Sequence, residues 1–428
     1  MIFHIGVLTY FCTYQYNEIM LNNFTVKNYK NITLEEPLRL DALNIFIGPN
    51  GCGKSNLFEA IQFLQDSIEH GLQKTIRTYR KGLDSILNKN TIPPCEINFK
   101  WCFSLLQRTM YFGGGIKPIE YLLDLEVFDF NKYSVKHETL KDSDEPTVEY
   151  TWKYIDFSYS KGTVIEGNKN AGTWTNEHPT EEVSEGEIAL QVLSSPKQYP
   201  AIDHVKRNVT LWRFYNANHI SIKQIKNKPS EIDPSDTYLD ETGENLAIVL
   251  YNLISNDDSG FKDALDRLLL ALYEDFEDLK FPIIDSKHLE MRWKKRDIRK
   301  PLPLDGLSDG TIRMLCWVAV LSHPNPSPLI CIDEPEIGLH PEWIIILADL
   351  IKEAAESGKT QVLIATHSPD LLDCFSDSAE NIIVTETDEQ KNAVFKRLDM
   401  DELKPWLERY RLGEMYRNGD SVVGGWSY

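Results

Sequence analysis

The spacing of apolar and polar residues changes along the chain, and this spacing predicts the first secondary-structure elements. Residues 24–47 alternate like two strands, FTVKNYKNITL and LNIFIG, and the second ends at a glycine-rich stretch. The following segment has apolar residues at helical spacing, and Gly71 is a plausible stop. The apolar residues with this spacing are Leu57, Ala60, Ile61, Leu64 and Ile68. The pattern therefore predicts a strand, a glycine-rich loop and a helix in that order.

The middle of the chain has a different pattern. Residues 95–165 contain period-two stretches rich in strand-forming residues, which predict an antiparallel sheet. Residues 167–187 are polar and turn-rich, and they favour a mobile loop. Residues 242–273 carry apolar stripes typical of helices, without a sustained heptad seam.

The last third alternates between helices and strands. A helix follows Asp309, then come the strand PLICIDEP, the helix WIIILADLIKEAAESG and the strand TQVLIATHS. Such alternation indicates a sheet with helices packed on it, so the predicted class is an α/β fold with a mixed sheet and an inserted β-rich and helical region. The predicted division is an extension over 1–19, an N-terminal lobe over 20–92, an insertion over 93–285 and a C-terminal lobe over 286–428.

Composition narrows the class of protein. The chain has 428 residues with 42% apolar and 26% charged positions, enough for a large core. No stretch has the roughly 18 apolar residues of a membrane span. Lysine and arginine number 45 against 65 acidic residues, so nucleic acid could be contacted only locally. Seven scattered cysteines fit neither a disulfide framework nor a zinc site, and we expect a soluble, cytoplasmic protein.

The first 19 residues contain a short apolar run. They lack a basic leading segment and a small-residue cleavage site, so a secretion signal is not predicted. Because strand-like alternation begins right after Met20, the preceding stretch is interpreted as a dispensable extension, and either Met1 or Met20 could be the start.

The stretch GPNGCGKS has the composition of a phosphate-binding loop. Its glycines let successive backbone N–H groups face one concavity at the positive end of the following helix. Lys54 would reach the β- and γ-phosphates of ATP, and Ser55 would hold Mg²⁺. A chance glycine turn is the alternative, which the strand-loop-helix context disfavours. The predicted ATP-binding residues are Gly48, Pro49, Asn50, Gly51, Cys52, Gly53, Lys54, Ser55 and Asn56.

Adjacent carboxylates end the apolar strand LICIDEP. Asp333 suits a magnesium shell, and Glu334 is placed to orient and polarise the attacking water. A solvated acidic pair at a strand end is the alternative. His367 follows the next strand, where it could bond the γ-phosphate or the water, although an isolated histidine is usually structural.

A further short motif precedes the helix of the last third. Ser308, Asp309 and Gly310 lie at its predicted start, where Ser308 or Asp309 could simply cap the helix.

Taken together, GPNGCGKS, LSDGT, LICIDEP and the histidine after the last strand resemble the ATP-binding-cassette ATPases, in the branch of the SMC and RecF proteins. The resemblance covers roughly the first 70 residues and residues 300–385. It implies a Walker A loop, a signature, a Walker B strand and a switch histidine. It also implies that two heads sandwich ATP, so Ser308, Asp309 and Gly310 would act on the site of a second copy.

EPEIGLHP and ATHSPDLLD look like a narrower bacterial group, with the OLD-type proteins and the stand-alone ATPase subunits of the Septu and PARIS anti-phage systems. This implies a homodimer or higher homo-oligomer that switches a separate effector, a nuclease or Toprim-like protein. A DNA-repair ATPase and a slow-hydrolysing scaffold are the rivals. The chain departs from its relatives in having no coiled coil and no room for a Toprim nuclease. The family's lid-linking glutamine is unassigned, since Gln62 and Gln65 lie on the first helix.

A basic cluster surrounds Trp293 just before the signature. A solvated strand edge is favoured over a salt-sensitive DNA or RNA contact, because the whole chain is acidic. The cluster contains Arg292, Lys294, Lys295, Arg296, Arg299 and Lys300.

Overall fold

The computed structural model describes residues 19–105, 118–143, 153–164, 180–195, 198–255, 260–419 and 423. The predicted extension, apart from Ile19, and most of the predicted loop over 167–187 lie outside the described residues, while Thr180–Glu182 forms a strand. Within the described ranges no helix is both long enough and apolar enough to span a bilayer.

The strands are numbered in chain order. They are β1 Ile19–Lys27, β2 Leu38–Arg39, β3 Leu43–Ile47, β4 Cys95–Leu105, β5 Ile119–Asp129, β6 Lys132–Asp142, β7 Lys153–Ser158, β8 Lys161–Val164, β9 Thr180–Glu182, β10 Arg213–Asn216, β11 Ser230–Glu231, β12 Phe276–Lys280, β13 His288–Leu289, β14 Arg292–Lys295, β15 Leu302–Pro303, β16 Leu329–Asp333, β17 Gln361–Thr366, β18 Ile382–Thr387 and β19 Ala393–Arg397.

The α-helices are numbered in the same way, and short 3₁₀ and π turns are left unlabelled. They are α1 Lys54–His70, α2 Leu72–Lys74, α3 Leu83–Ile86, α4 Ala189–Val192, α5 Pro200–Thr210, α6 Ile222–Asn227, α7 Leu246–Ser255, α8 Phe261–Leu272, α9 Asp309–Leu321, α10 Pro341–Glu356, α11 Pro369–Asp373, α12 Met400–Leu407 and α13 Leu412–Arg417.

A six-stranded sheet, the head sheet, has the order β10-β16-β17-β3-β18-β19. Its strands are parallel except β19, which pairs antiparallel with β18. Every residue of β3, β16 and β17 is buried, as expected for parallel strands that are covered on both faces. The predicted α/β class with a mixed sheet is confirmed, and the carboxyl ends of β3, β10, β16 and β17 meet at one edge.

An eight-stranded antiparallel sheet, the arm sheet, has the order β2-β1-β4-β5-β6-β7-β8-β9. The first predicted strand, residues 24–34, is wrong in its bounds, because β1 ends at Lys27. Asn28 and Lys30 adopt left-handed backbone angles with φ of 60° and 50°, which turn the chain out of the strand. β1 then pairs with β4 and lies outside the head sheet.

Successive side chains along a head-sheet strand pack alternately in two different hydrophobic cores. Ile45 and Ile47 pack with α7 to α11, whereas Phe46 packs with α1 and the arm sheet. Phe63 of α1 stacks on Phe99 of β4 with ring centroids 4.7 Å apart. Helix α1 is therefore clamped between the two large sheets, and this fixes the helix that starts at the phosphate loop.

Candidate functional site

The phosphate loop connects β3 to α1 by a path that requires glycine. Gly51 and Gly53 have φ of +80° and +120°, in the region that side-chain-bearing residues avoid. A Cβ on Gly48 would lie 2.0 Å from the carbonyl oxygen of Thr385 in β18. The tight contact with β18 and the left-handed angles together explain the glycines of this loop.

Lys54 is the first residue of α1, and its side chain is turned onto its own loop. The Nζ atom donates to the carbonyl oxygens of Gly48 at 2.6 Å and Pro49 at 3.0 Å. The residue is only 6% exposed. The ammonium group is thus held over the concave side of the loop, where it could instead donate to phosphate oxygens.

The end of β16 brings Asp333 next to the start of α1. Ser55 Oγ donates to Asp333 Oδ2 at 2.6 Å, and Asn216 Nδ2 donates to the same oxygen at 3.0 Å. Burial is the main cause that raises the pKa of Asp333. Three elements, α1, β10 and β16, therefore converge on one carboxylate.

Glu334 has a left-handed backbone with φ of 56°, an uncommon conformation for this residue type. Its N–H donates to Ala365 of β17 at 2.7 Å, which ties the bend to the next strand. Asn218 Nδ2 donates to Glu334 Oε2 at 3.0 Å, and His367 Nδ1 lies 3.0 Å from Oε1. The carboxylate is therefore held by the Asn218 amide on one side and lies beside the His367 ring on the other.

The segment that carries His367 is fixed by a buried glutamate. Thr366 Oγ1 donates to Glu336 Oε1 at 2.6 Å and accepts from the N–H of Ser368 at 2.9 Å. Burial raises the pKa of Glu336. Glu336 thus connects the chain after β16 to the last residue of β17, directly before His367.

Lys54, Ser55, Asp333 and Glu334 border a cavity of about 100 Å³, whereas His367 is not among its lining residues. The structure brings together the loop, the start of α1 and both carboxylates around it. The lining residues are Asn50, Gly51, Gly53, Lys54, Ser55, Asn56, Asp333 and Glu334. Cys52 is buried behind the loop, with its Sγ 3.8 Å from the Lys54 Nζ.

The predicted signature residues lie elsewhere. Ser308 caps α9, accepting from the N–H of Thr311 at 3.1 Å. Ser308 and Asp309 are exposed, while a Cβ on Gly310 would lie 2.7 Å from the carbonyl oxygen of Gly338. Among the residues that the structure describes, none of these three lines the cavity at the phosphate loop of the same chain.

Residues 216–226 link the cavity at the phosphate loop to the start of α9, and the sequence did not predict this link. Asn216 and Asn218 contact Asp333 and Glu334 as described above. The next helix, α6, carries Lys226, whose Nζ donates to the carbonyl oxygen of Leu307 at 2.6 Å and pairs with Asp309 at 2.7 Å. The only sequence signal is a four-residue strand before Asn-Ala-Asn, which is weak by itself.

The second link comes from the signature helix. Arg313 of α9 donates from Nη1 to the carbonyl oxygen of Ala217, between the two asparagines. None of the hydrogen bonds of Gln65 reaches Asp333 or Glu334. They go to Glu69 and to the carbonyl oxygens of Thr210 and Trp212. Gln62 donates to Glu241. Two asparagines, at the end of β10 and just after it, therefore stand beside the two carboxylates.

A phosphate loop between a buried parallel strand and a helix, with two carboxylates on a nearby strand, defines the class as a P-loop ATPase with an SMC- and ABC-like head. The chain belongs to the family described as "AAA domain, putative AbiEii toxin, Type IV TA system", whose model matches residues 43–99 and 181–373, more than half of the chain. The protein is thus an ATPase.

Two curated relatives have names that refer to nucleotides. An ATP/GTP phosphatase of Helicobacter pylori is 22% identical over 361 residues, which are 83% of this chain and 87% of the relative. An energy-coupling factor transporter ATP-binding protein of Lactobacillus delbrueckii subsp. bulgaricus is 29% identical over 136 residues, which are 30% of this chain and 44% of the relative.

Two solved structures share the fold. The SMC head bound to the C-winged helix domain of ScpA has a TM-score of 0.52 and 14% identity, covering 89% of this chain and 99% of that chain. An Smc head domain with an extended coiled coil, bound to the C-terminal domain of ScpA derived from Pyrococcus furiosus, has a TM-score of 0.51 and 12% identity, covering 91% and 99%. At these identities the likeness concerns the fold alone.

Proposed function

We propose that two copies of this chain close around ATP, and that the closed form controls a separate effector protein in anti-phage defence. The observation that carries the proposal is the position of Ser308 and Asp309. They are exposed at the start of a 13-residue helix, whose N–H groups suit an anion, yet they do not line their own chain's cavity. A second copy would bring its phosphate loop to them.

Magnesium would be held by Ser55 and Asp333 in this proposal. The donor set fits, because a hydroxyl and a carboxylate are hard oxygen ligands, and their oxygens already lie 2.6 Å apart. The ion would supply charge compensation for the phosphate oxygens. Asn216 would keep the Asp333 carboxylate in place through its amide.

Hydrolysis would use Glu334 to orient the attacking water and accept its proton. Asn218 and His367 would keep the Glu334 carboxylate aimed at the cavity, and His367 could also contact the γ-phosphate. Lys54 would exchange its two loop carbonyls for β- and γ-phosphate oxygens, and the N–H groups of Asn50 to Asn56 would surround the phosphates.

The proposed division of the chain follows the same scheme. Residues 20–92 and 286–428 would form the two lobes of the head, and 93–285 would be the insertion that the effector contacts. The insertion contains both β4 to β9 and the Asn216–Asn218 segment, so a partner bound to it would be connected to the carboxylates of the head.

Light-scattering measurements with Glu334→Gln test the dimer. This variant should bind ATP without turnover, so we expect a dimer with ATP and a monomer with ADP. Adding Ser308→Arg should return it to a monomer, because the bulky cation blocks the exposed helix start. A Glu334→Gln chain that binds ATP yet stays monomeric would overturn the proposal. A wild-type chain with negligible turnover and an unaltered effector response in Glu334→Gln would favour the scaffold.

Phage challenge tests the defence role. Cells that carry this gene with its neighbours should survive phages that kill control cells, and Lys54→Ala should remove the protection. Neighbour proteins recovered with the chain should include one that cleaves nucleic acid or is toxic. Equal killing of both strains by a broad phage panel would contradict the role.

A DNA-acting ATPase is the second candidate, and the basic cluster bears on it. Arg292, Lys294 and Lys295 pair with Glu290, Glu277 and Asp275. Arg296, Arg299 and Lys300 are exposed, and within the described residues they have no carboxylate partner. ATP turnover that rises with duplex DNA and loses this response at high salt would support the candidate.

A further inference from the structure

A groove of about 930 Å³ runs along α1, away from the phosphate loop. Ser55 and Asp333 line its inner end, and Glu69 and His70 line its outer end. The opposite wall is formed by β10 and by residues 235–241. Its volume is at the upper end of the range for ligand sites, about 300 to 1,000 Å³. The groove is therefore large enough for several side chains of a partner.

Acidic side chains without cationic partners face this groove. Within the described residues, no lysine or arginine pairs with any of four of its carboxylates. These are Glu69, Asp236, Asp240 and Glu241. Glu241 accepts from Gln62 at 3.2 Å, and Asp236 accepts from Asn245 at 2.7 Å, so both are oriented by neutral amides. The groove repels polyanions and attracts cations.

The two arginines of the groove are already engaged. Arg80 Nη2 lies 2.6 Å from the buried Asp66 carboxylate. Arg213 donates to the carbonyl oxygens of Thr210 and Trp212, and its guanidinium lies 5.0 Å from the ring centroid of Tyr238. Within the described residues neither arginine forms an ion pair with any of the four carboxylates, so both guanidinium groups act on them only from a distance.

Two aromatic rings line the groove. Tyr79 is 42% exposed and stacks on His70 with centroids 4.5 Å apart. The Tyr238 ring already lies beside the Arg213 guanidinium and stacks on His323 with centroids 4.7 Å apart. Planar guanidinium groups bind carboxylates with paired hydrogen bonds and stack on aromatic rings, whereas ammonium groups act as point charges. Lys74 Nζ also lies 5.7 Å from the Tyr79 ring centroid, so both rings already have stacking or cationic neighbours. The preference for arginine therefore rests on its paired hydrogen bonds to the carboxylates.

We propose that this groove is the docking site for an arginine-rich, extended segment of the effector protein. The inference rests on the proposed function, because it names where the switched partner attaches. Since Ser55 and Asp333 line both the groove and the nucleotide cavity, ATP changes the affinity for the segment, and the segment changes the affinity for ATP by the same factor.

Fluorescence anisotropy with a labelled hexa-arginine peptide tests the site on the full chain. The double variant Glu69→Gln/Glu241→Gln should bind the peptide about tenfold more weakly, because two carboxylates that face the segment are lost. Glu356→Gln/Glu408→Gln removes the same charge from exposed positions that do not line the groove. This control should stay within about twofold of the wild type, because it alters only the screened overall field.

Three outcomes would overturn the docking site. They are equal losses in the two double variants, equal affinity for hexa-arginine and spermine, and preference for a short DNA duplex over the peptide. Equal peptide affinity with and without ATP, measured on Glu334→Gln, would overturn the linkage to the nucleotide. Groove-dependent peptide binding by a chain that never dimerises would retain the site and reject the proposed dimer.

Discussion

The head sheet and the arm sheet are built from the same kinds of apolar residues, but they use them differently. In the head sheet β3, β16 and β17 are buried along their whole length, and the candidate site residues lie at the strand ends, as Asp333 does, or directly after them, as Glu334 and His367 do. In the arm sheet buried and partly buried positions alternate, as in β5 and β6. The head thus concentrates its chemistry at one edge, whereas the arm uses its polar positions for structure.

The largest expected effect lies in the head. Glu334→Gln should lower kcat by about a thousandfold, equivalent to about 4 kcal/mol, because the amide cannot accept the proton of the attacking water. Phosphate release under single-turnover conditions measures it. The exposed Glu356→Gln serves as the control, and a variant that retained half of the wild-type rate would remove Glu334 from its proposed role.

The matching change in the arm should affect stability. Trp101 is fully buried in β4 and stacks on Phe99 with centroids 5.3 Å apart. Trp101→Ala should lower the free energy of unfolding by about 3 kcal/mol or more, through lost burial and the cavity left behind. Urea unfolding measures this. Trp406→Ala, at a position that is 43% exposed, should cost much less, and equal costs would contradict the packing described.

A buried carboxylate makes the arm sensitive to pH. Glu138 of β6 accepts from the N–H groups of Ala189 and Leu190 and from the Tyr121 hydroxyl. Burial raises its pKa from 4.5 to about 7. As the pH rises, the unfolded chain therefore loses the Glu138 proton before the folded chain does. The stabilisation is fully present below pH 4.5 and declines as the pH rises, until the pH passes about 7.

Glu138→Gln has no proton to release, so it should remove this slope. Between about pH 5.5 and 7 the wild type should lose up to ~2 kcal/mol that the variant does not lose. Free energies of unfolding at the two pH values give the comparison, with Glu356→Gln as control. Parallel pH profiles for wild type and Glu138→Gln would show that Glu138 is ionised in the folded chain.

The smallest expected effect again concerns the head, at Asn218 beside Glu334. Asn218→Ala should lower kcat by about tenfold, because Glu334 loses one of its two neighbours and is less well aimed. Asn218→Asp would place a second carboxylate beside Glu334 and should be at least as harmful at neutral pH. Unchanged kcat in both variants would show that His367 alone is sufficient to orient Glu334.

The difference between the regions also explains what the sequence could predict. The head was predictable because its motifs combine a fixed spacing with a strand or helix that gives each residue a position. Ser55 and Asp333 could be paired in advance for this reason, although which residues carry out the chemistry is still a prediction. Asn216 and Asn218 were missed because they lie at the end of a four-residue strand and just after it, and belong to no spaced pattern.

Backbone angles and sheet partners were the least predictable features. The left-handed angles at Asn28 and Lys30 end β1 early, and neither residue is a glycine that would have signalled a turn. Pairing of β1 with β4 rather than with β3 depends on contacts between segments about 75 residues apart, which alternation along one strand cannot specify.

The position of β3 between β17 and β18 has a consequence for synthesis on the ribosome. The phosphate loop follows Ile47 at the end of β3, but the strands on either side of β3 end only at Thr366 and Thr387. At roughly 5 to 20 residues per second, β3 leaves the ribosome about 20 to 70 seconds before its second partner is made. Until β17 is made, this strand, which is apolar apart from Asn44, has neither neighbour, and the nascent chain is a natural client for chaperones.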